Sequence, residues 1–354
     1  QFRQLQVQMR WHRLSKYKQH GADMRIGKVT ENVLKRSVFK LHKVKKDQES
    51  AAVGTDCAVF INKENQNDEN AVILSSVSPV TVNTTHAGRY AVAGAANNLL
   101  CQNVRPDMIT LQILLPENAE EPVIKQIMKD AAEQCAAYDT YIAGGHTEVT
   151  TAVSRPLVTA AATGHAVRPV SFACSQAAAG QDLILTKWIG LEGTAMLAEE
   201  KAQEICSRYP AHMVEEAAHF MNYLSVASEA AVAAKSGASA MHDISGGGVF
   251  AALWEMAEGA GTGLEVDLKK IPVKQETIEI CEFFEINPYQ LISGGSLLIA
   301  AEDGKEMVRK LQEEGIPAVV IGRLTDGNDR IIINEEETRY LEMPQADEIH
   351  RVLG

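Results

Sequence analysis

The chain has 354 residues, of which 45% are hydrophobic and 23% are charged, and its formal net charge is −12 at pH 7. This length allows two domains of ordinary size, each with its own core. No apolar run approaches the roughly 20 residues needed to span a bilayer, and the acidic body of the chain lacks the basic patch typical of nucleic-acid-binding surfaces. The sequence therefore predicts a globular protein that binds neither membranes nor nucleic acids.

Residues 1–23 differ in composition from the rest of the chain. They contain five basic residues, one acid and five glutamines, and they lack the apolar core of a signal peptide. Met24 follows directly. We interpret this segment as a leader, either a remnant of expression or upstream translation, and a basic docking arm is the alternative.

The next part of the chain, residues 24–168, predicts a first domain. Apolar residues recur at helical spacing in the segments 31–43, 86–100 and 119–138. Apolar and β-branched runs bounded by turn residues predict strands at 57–61, 71–76, 108–115, 140–143 and 157–165. The polar segment 62–70 predicts a long hairpin loop between the first two strands.

Residues 168–170 (Arg-Pro-Val) form a plausible boundary to a second domain at 169–345, followed by a tail at 346–354. The same patterns predict strands at 183–186, 238–242, 263–268, 296–301, 318–322 and 330–333. They predict helices at 191–208, 211–235, 249–258, 273–284 and 305–314. Because neither half shows regular βαβ alternation, the predicted fold class is α+β with two domains.

The six cysteines are widely separated and form no CxxC pair; they are Cys57, Cys101, Cys135, Cys174, Cys206 and Cys281. A structural zinc site requires closely spaced ligand pairs, so none is expected. A chain of this size does not depend on disulfides, and such spacing is typical of buried thiols in a reducing compartment. We therefore expect a cytoplasmic protein.

Two glycine clusters, each joined to a carboxylate, carry the strongest functional signal. The first is Gly144-Gly145-His146-Thr147-Glu148, and the second is Asp243-Ile244-Ser245-Gly246-Gly247-Gly248, directly before a predicted helix. Successive glycines let backbone N–H groups approach an anion, and a helix N-terminus adds partial positive charge. Because carboxylates can hold a divalent cation against that anion, the clusters predict a phosphate-handling site.

Five motifs resemble those of the aminoimidazole ribonucleotide (AIR) synthetase superfamily and occur in the same order. They are Gly54-Thr55-Asp56-Cys57-Ala58-Val59, Ala95-Ala96-Asn97-Asn98-Leu99, Gly144 to Thr150, Asp243 to Gly248, and Ser293-Gly294-Gly295-Ser296. The resemblance extends from about residue 24 to about residue 344. In the second half, the stretch from Gly263 to Cys281 most resembles the hydrogenase maturation factor HypE and its uncharacterised relatives.

The resemblance implies a PurM-like fold in which the N-terminal domain dimerises through its sheet and a C-terminal α+β domain covers a cleft. It also implies binding of ATP with Mg²⁺ and phosphorylation of an amide oxygen or another acceptor. A homodimer and a protein partner in a maturation pathway are further implications.

The chain departs from the family pattern at three places. Ser78 stands where the family strand carries an acid, and Asn98 replaces the acid of the helix motif. Both acids help to hold Mg²⁺ in relatives. The maturation dehydratase also ends in a P-R-I-C tail, whereas the last cysteine here is Cys281. These departures weaken the expectation of a metal site and exclude the usual tail chemistry.

On this resemblance, the expected metal ligands are Asp56, Glu148 and Asp243, and the expected catalytic residues are Asp243 and His146. The expected cofactor-binding residues are Lys28, Asn98, Gly144, Gly145, Ser245, Gly246, Gly247 and Gly248. Each has a simpler alternative: the acids can cap turns or pair with neighbours, and Ser245 can be an N-cap. The glycines can permit close packing, His146 can make a structural hydrogen bond, and Lys28 can be solvated.

Two functions follow from these residues. The first is ATP- and Mg²⁺-dependent phosphorylation of a carboxamide or another small acceptor. The alternative is a non-catalytic relative with a degenerate metal site, which acts as a dimeric nucleotide-binding or assembly protein. The persistence of both glycine clusters favours the first, and Ser78, Asn98 and the missing tail cysteine favour the second.

Overall fold

Two β-sheets, one in each half of the chain, organise the structure, which is a computed structural model describing residues 26–41, 48, 52–61, 71–167 and 171–354. The expected leader at 1–23, the loop at 62–70 and the boundary at 168–170 lie outside the described residues. The predicted α+β class is confirmed. No helix in the described ranges is long and apolar enough to cross a membrane.

The first sheet has five strands in the order β1-β2-β5-β3-β4. They are β1 (Ala58–Ile61), β2 (Ala71–Val80), β3 (Met108–Leu115), β4 (Ile142–Val149) and β5 (Leu157–Val167). All neighbours are antiparallel except β3 and β4. Burial alternates along β2 and β3, as expected for a sheet with one face on the core.

The other face of this sheet is uncovered by the rest of the described chain and carries apolar side chains. Phe60, Ile73 and Val77 lie on it, and Val77 is 62% exposed. They belong to adjacent strands, because Phe60 pairs with Ile73 across β1 and β2. A contiguous apolar patch of this kind is typical of an interaction surface.

The second sheet has seven strands in the order β12-β11-β8-β10-β6-β9-β7. They are β6 (Asp182–Thr186), β7 (Ala238–Asp243), β8 (Gly263–Asp267), β9 (Leu297–Ala301), β10 (Ala318–Thr325), β11 (Arg330–Asn334) and β12 (Glu337–Tyr340). Every residue of β9 is buried, which accounts for its continuous apolar sequence. The sequence patterns did not predict β12.

Helices are interspersed between the strands, and several of them pack against the two sheets. They are α1 (Glu31–Val33), α2 (Ala87–Leu100), α3 (Glu121–Ala137), α4 (Leu191–Glu200), α5 (Ala202–Ile205), α6 (Ala211–Ala218), α7 (Ala227–Lys235), α8 (Gly248–Ala260), α9 (Gln275–Phe284), α10 (Gly304–Glu313) and α11 (His350–Leu353). After α1 the segment continues as a π-turn and a 3₁₀-turn to Leu41. The rest of the predicted helix 31–43 lies outside the described residues.

The long helix predicted at 211–235 is interrupted, so this prediction was wrong. After α6 the chain forms a 3₁₀-turn, and residues 224–226 are not helical. Side chains from elsewhere in the chain hold this break. Asn97 donates to the Leu224 carbonyl (2.7 Å) and Lys187 donates to the Ser225 carbonyl (2.7 Å). Tertiary hydrogen bonds therefore override the local helical pattern.

The first glycine cluster is also not a turn. Gly144 to Glu148 belong to β4, which forms an edge of the first sheet beside β3. A Cβ at Gly145 would lie 1.9 Å from the Leu111 carbonyl oxygen. The glycine therefore allows the strand backbone to lie close to its neighbour, a use that the sequence pattern does not distinguish from an anion-binding turn.

Asn97 joins the two halves of the chain and gives a stability prediction. Its buried amide donates to Leu224, and its oxygen accepts from the Tyr138 hydroxyl (2.9 Å) and the Val226 N–H (3.3 Å). Asn97→Ala leaves these buried groups unpaired, so we expect the free energy of unfolding in urea to fall by about 3 kcal/mol.

The neighbouring Asn98→Ala is the matched control, because the Asn98 side chain is half-buried and makes no hydrogen bond with the residues that the structure describes. Its loss should cost under about 1 kcal/mol. Equal destabilisation by the two variants would contradict the role assigned to Asn97.

Candidate functional site

The second glycine cluster lies in the loop between β7 and α8. Gly247 and Gly248 have positive φ angles of 91° and 65°, a conformation that favours glycine. A Cβ at Gly248 would lie 2.6 Å from the Tyr289 carbonyl oxygen. By contrast, the nearest atom to a Cβ at Gly246 would be Cε of Lys28, at 3.9 Å. Gly248 thus serves close packing, whereas Gly246 faces the lysine.

The N–H groups of this loop are partly used inside the protein. Gly247 donates to Oδ2 of Asp347 (2.6 Å), and Gly248 donates to the Ser245 carbonyl (3.1 Å). The expectation that Ser245 is the N-cap was wrong, since Gly247 holds that position and no side chain caps α8. The loop therefore already holds one carboxylate at the start of the helix, where the helix dipole favours an anion.

His242 lies at the centre of a buried ion cluster beside this loop. Its Nδ1 is 2.9 Å from Oδ1 of Asp56, and its Nε2 is 2.8 Å from Oε2 of Glu255. Lys28 Nζ lies 3.1 Å from Oε1 of the same Glu255. These contacts connect the N-terminal segment, the first domain and α8.

The pKa values of this cluster follow from its partners. Burial alone would lower the pKa of His242, but Asp56 and Glu255 hold it well above its ordinary value. Burial would raise the pKa of Glu255, but Lys28 and His242 bring it down to about 2. The imidazolium and the Glu255 carboxylate are thus both charged at neutral pH.

Asp243 is the carboxylate of the cluster that lacks a full set of partners. It is 2% exposed, and burial together with the nearby Asp56 charge raises its pKa to about 7. Its buried Oδ1 has no hydrogen-bond partner among the described residues. Because an unpaired buried oxygen is costly, this atom marks a place for a proton or a ligand.

Two further acids line the same region and were not predicted as site residues. Glu192, in the first turn of α4, has its pKa raised to about 8 by burial and then by Asp243 and Asp347. Burial raises the pKa of Asp347 to about 6, although backbone N–H groups oppose the shift. A signal for Glu255 was available, since it is an acid within the largely apolar helix α8.

The backbone of Asn98 contacts the residue that follows Asp56. The Cys57 thiol donates to the Asn98 carbonyl (3.0 Å), so the residue after Asp56 contacts α2 directly. Ser78 faces the same helix, because a Cβ at Gly94 would lie 2.4 Å from the Ser78 hydroxyl oxygen. Of the two residues that replace family acids, Ser78 therefore lies beside α2 and Asn98 lies within it.

The residues of the first glycine cluster lie on the other sheet. His146 Nε2 is 3.0 Å from Oε2 of Glu148, and both side chains are more than half exposed on β4. A cavity of about 280 Å³ lies beside this strand and is lined by Gly144, Gly145 and His146 among others. A larger cavity of about 600 Å³ lies near Arg155 and Lys201 and shares no residue with the expected site.

The expected metal ligands are not arranged as a preformed site. Asp56 and Asp243 belong to one electrostatic cluster, but Asp56 is paired with His242 and Glu148 is paired with His146. In the ranges that the structure describes, no three His, Cys, Asp or Glu side chains could together hold a metal ion. A hard divalent cation prefers several oxygen ligands, so these residues do not fit a resident Mg²⁺.

Comparison with known proteins agrees with this architecture. The family model of the AIR synthase related protein, N-terminal domain, matches residues 54–166, and that of its C-terminal domain matches residues 178–334. The resemblance found in the sequence motifs is therefore confirmed.

A putative hydrogenase expression/formation protein of Methanocaldococcus jannaschii is 26% identical over 78% of this chain and 82% of its own. The carbamoyl dehydratase HypE of Rhodobacter capsulatus is 25% identical over 70% of this chain and 72% of its own. The crystal structure of a hydrogenase maturation protein HypE in complex with ATP superposes with a TM-score of 0.63 at 14% identity, covering 94% of this chain and 97% of that one. At this identity the superposition shows the fold.

The His242 cluster predicts a specific response to acid. Ionised Glu255 has a folded-state pKa of about 2 and an ordinary value of 4.5, so its contribution to stability is present above pH 4.5 and is lost as the pH falls towards 2. We expect Glu255→Gln to lower the free energy of unfolding by about 3 kcal/mol at pH 7 and to remove this part of the acid dependence.

Urea denaturation at several pH values between 2 and 7 measures this effect. The matched control is Glu265→Gln, which changes an exposed acid on β8 and should leave the wild-type acid dependence intact. A Glu255→Gln variant as stable as this control at pH 7 would show that the cluster does not stabilise the fold.

Proposed function

We propose that this chain, which belongs to the AIR synthase related protein family, binds ATP beside the β7–α8 loop and transfers its terminal phosphoryl group to a carboxamide or another small acceptor. One observation carries the proposal. The buried Oδ1 of Asp243 has no partner among the described residues, the charge of Lys28 acts on Asp243 by lowering its pKa, and the Lys28 side chain reaches Gly246 of the same loop. The Lys28 ammonium and the accessible Gly246 backbone can bind an anion such as phosphate. The Asp243 carboxylate can accept a proton from the reacting group.

Lys28 is the residue best placed to contact phosphate. Its side chain is about half exposed, and its Nζ is held over the loop by Glu255. A lysine ammonium binds phosphate as a point charge. In a chain with a net charge of −12, such a local cation next to a helix N-terminus provides the attraction that the overall charge does not.

Asp243 has the properties of a general base for this reaction. Its pKa of about 7 places proton transfer near neutral pH, where general acid–base catalysis is most effective. In the proposed role it accepts the proton of the acceptor as the phosphoryl group arrives. His146 remains a predicted catalytic residue, with a place on β4 beside the smaller cavity.

Magnesium enters the proposal only as the ion carried by ATP. The described residues do not form a resident Mg²⁺ site, and Ser78 and Asn98 stand at positions where the family resemblance implies acids. Nucleotides bring their own Mg²⁺ on the phosphate oxygens. The expected role of Asp56 and Glu148 as ligands thus stays a prediction, which nucleotide titration with and without Mg²⁺ addresses.

We also propose a homodimer formed through the uncovered face of the first sheet. Phe60, Ile73 and Val77 present apolar surface there, and β4 is an edge strand with most side chains exposed. Both features are costly in water unless another surface covers them. A protein partner in a maturation pathway remains a prediction from the resemblance to HypE.

A second candidate function is a non-catalytic nucleotide-binding or assembly protein. The specific observation in its favour is that no three potential ligands in the described residues could hold a metal, because phosphoryl transfer relies on metal ions to neutralise developing charge. Binding of ATP without transfer to any acceptor would favour this candidate over the enzyme.

Calorimetric titration with ATP, with and without Mg²⁺, tests the proposed site. We expect a dissociation constant in the micromolar range, equivalent to about −8 kcal/mol, and we expect Asp243→Ala to abolish turnover. Asp326→Ala, which changes an exposed acid directly after β10, is the control. No binding in either condition would refute the ATP proposal, and unchanged turnover in Asp243→Ala would remove that residue from the site.

Light scattering on the purified protein tests the dimer. Val77→Glu places a charge on the exposed apolar face, so we expect the mass to fall from that of a dimer to that of a monomer. Tyr340→Glu is the control, because Tyr340 is 69% exposed on the other sheet. A wild-type protein that is monomeric, or a variant that stays dimeric, would contradict this interface.

A further inference from the structure

Residues 342–348, here called the strap, cross the β7–α8 loop between two buried anchors. Leu341 and Ile349 are the anchors, and Asp347 is the only buried residue between them. The rest of the strap is exposed or half-buried. Asp347 is therefore the one buried side chain that holds this segment on the protein, and the Glu348 N–H adds a hydrogen bond to the Gln290 carbonyl (3.2 Å).

The Asp347 carboxylate is held by backbone N–H groups at the start of α8. Its Oδ2 accepts from the Gly247 N–H at 2.6 Å, and its Oδ1 accepts from the Ile349 N–H at 2.9 Å. In its ionised form the carboxylate accepts both hydrogen bonds. It lies at the start of α8, a 13-residue helix. A carboxylate here has the same backbone donor and helix dipole that bind phosphate in other proteins.

The strap also contacts the segment that carries Lys28. A Cβ at Gly27 would lie 3.2 Å from Cα of Ala346, so residues 26–28 rest against the strap while the Lys28 side chain extends over Gly246. The strap, Lys28 and the loop consequently form one layer. Movement of Asp347 therefore changes the surroundings of Lys28 and of the glycine loop, the two groups that are proposed to bind phosphate.

We propose that the strap regulates the site by competition, with Asp347 and a phosphate group binding the Gly247 N–H in mutually exclusive fashion. This inference rests on the proposed function, because it assigns the phosphates of the nucleotide to the same loop. One N–H group can serve one anion, and two anions at that distance repel each other. Phosphate binding therefore requires the strap to release Asp347.

The structure explains how such a release stays local. The strap is the span between the two anchors, and Leu353, beyond Ile349, is held as well, since its carbonyl accepts from the Asn83 N–H (2.8 Å). Only residues 342–348 need to move, and Asp347 is the one buried side chain that they lose. The charge of Asp347 raises the pKa of Glu192, so movement of Asp347 away from the site also reduces the repulsion that acts on ionised Glu192.

Titration with inorganic tripolyphosphate tests the competition without involving adenosine. The proteins are the full-length wild type, Asp347→Asn, Asp347→Ala and the matched control Glu348→Gln. Glu348 is an adjacent strap acid that pairs with Arg351 (2.7 Å) and with the Asn287 N–H (3.4 Å) rather than with the glycine loop. The control removes the same unit of charge and leaves the Gly247 N–H bonded to Asp347.

We expect Asp347→Ala, which removes the competing acceptor, to bind tripolyphosphate about tenfold more tightly than the wild type. Asp347→Asn removes the charge but keeps an amide oxygen that accepts from the Gly247 N–H, so it should gain less, and the control should stay within about twofold. Equal or weaker binding in both Asp347 variants would overturn the inference. So would an equal gain in the control, since that would show a general charge effect. Absence of tripolyphosphate binding in every protein would overturn it as well.

A parallel titration with ATP separates this inference from the proposed function. If the Asp347 variants bind tripolyphosphate more tightly but no protein binds ATP, the competition by the strap is supported and the proposed ATP site is refuted. Equal ATP binding in the wild type and all variants, with no gain for tripolyphosphate, would support the nucleotide site and refute the strap.

Discussion

The ion cluster around His242 is the constraint on which the rest of the site depends. A buried imidazolium is stable only with close partners, and here one partner, Asp56, comes from the first domain and the other, Glu255, from helix α8. The cluster thus fixes how the start of β1, the end of β7 and α8 meet. Lys28 joins it through Glu255, which brings the N-terminal segment over the glycine loop.

This arrangement leaves Asp243, like Glu192 and Asp347, without a paired cation among the described residues. Asp56 and Glu255 share His242, and Lys187 is held by Glu229 at 2.8 Å. Burial and the repulsion of Asp56 outweigh the attraction of His242, Lys28 and Lys187, so the pKa of Asp243 is raised to about 7. The features that make Asp243 suitable for chemistry therefore follow from the pairing of its neighbours.

The sequence predicted the elements well where one physical signal dominates. The continuous apolar run of β9 and the alternation along β3 gave strands close to the observed bounds. Glycine clusters were less informative, because the same residue serves close strand pairing at Gly145 and a positive φ at Gly247. Asp347 was not predicted at all, since its role comes from a contact with a residue 100 positions away, and no local pattern encodes that distance.

The balance of charges bears on the two acids that this chain lacks. Asp56, Glu192, Asp243, Glu255 and Asp347 already lie in the region. The nearby cations are His242, Lys28 and Lys187, and Lys187 is already paired with Glu229. Further carboxylates at positions 78 and 98 would add repulsion that only a bound metal could offset. Ser78 and Asn98 therefore avoid further negative charge in a region where the acids already outnumber the cations. In such a site a ligand that brings its own cation is better accommodated than a free anion.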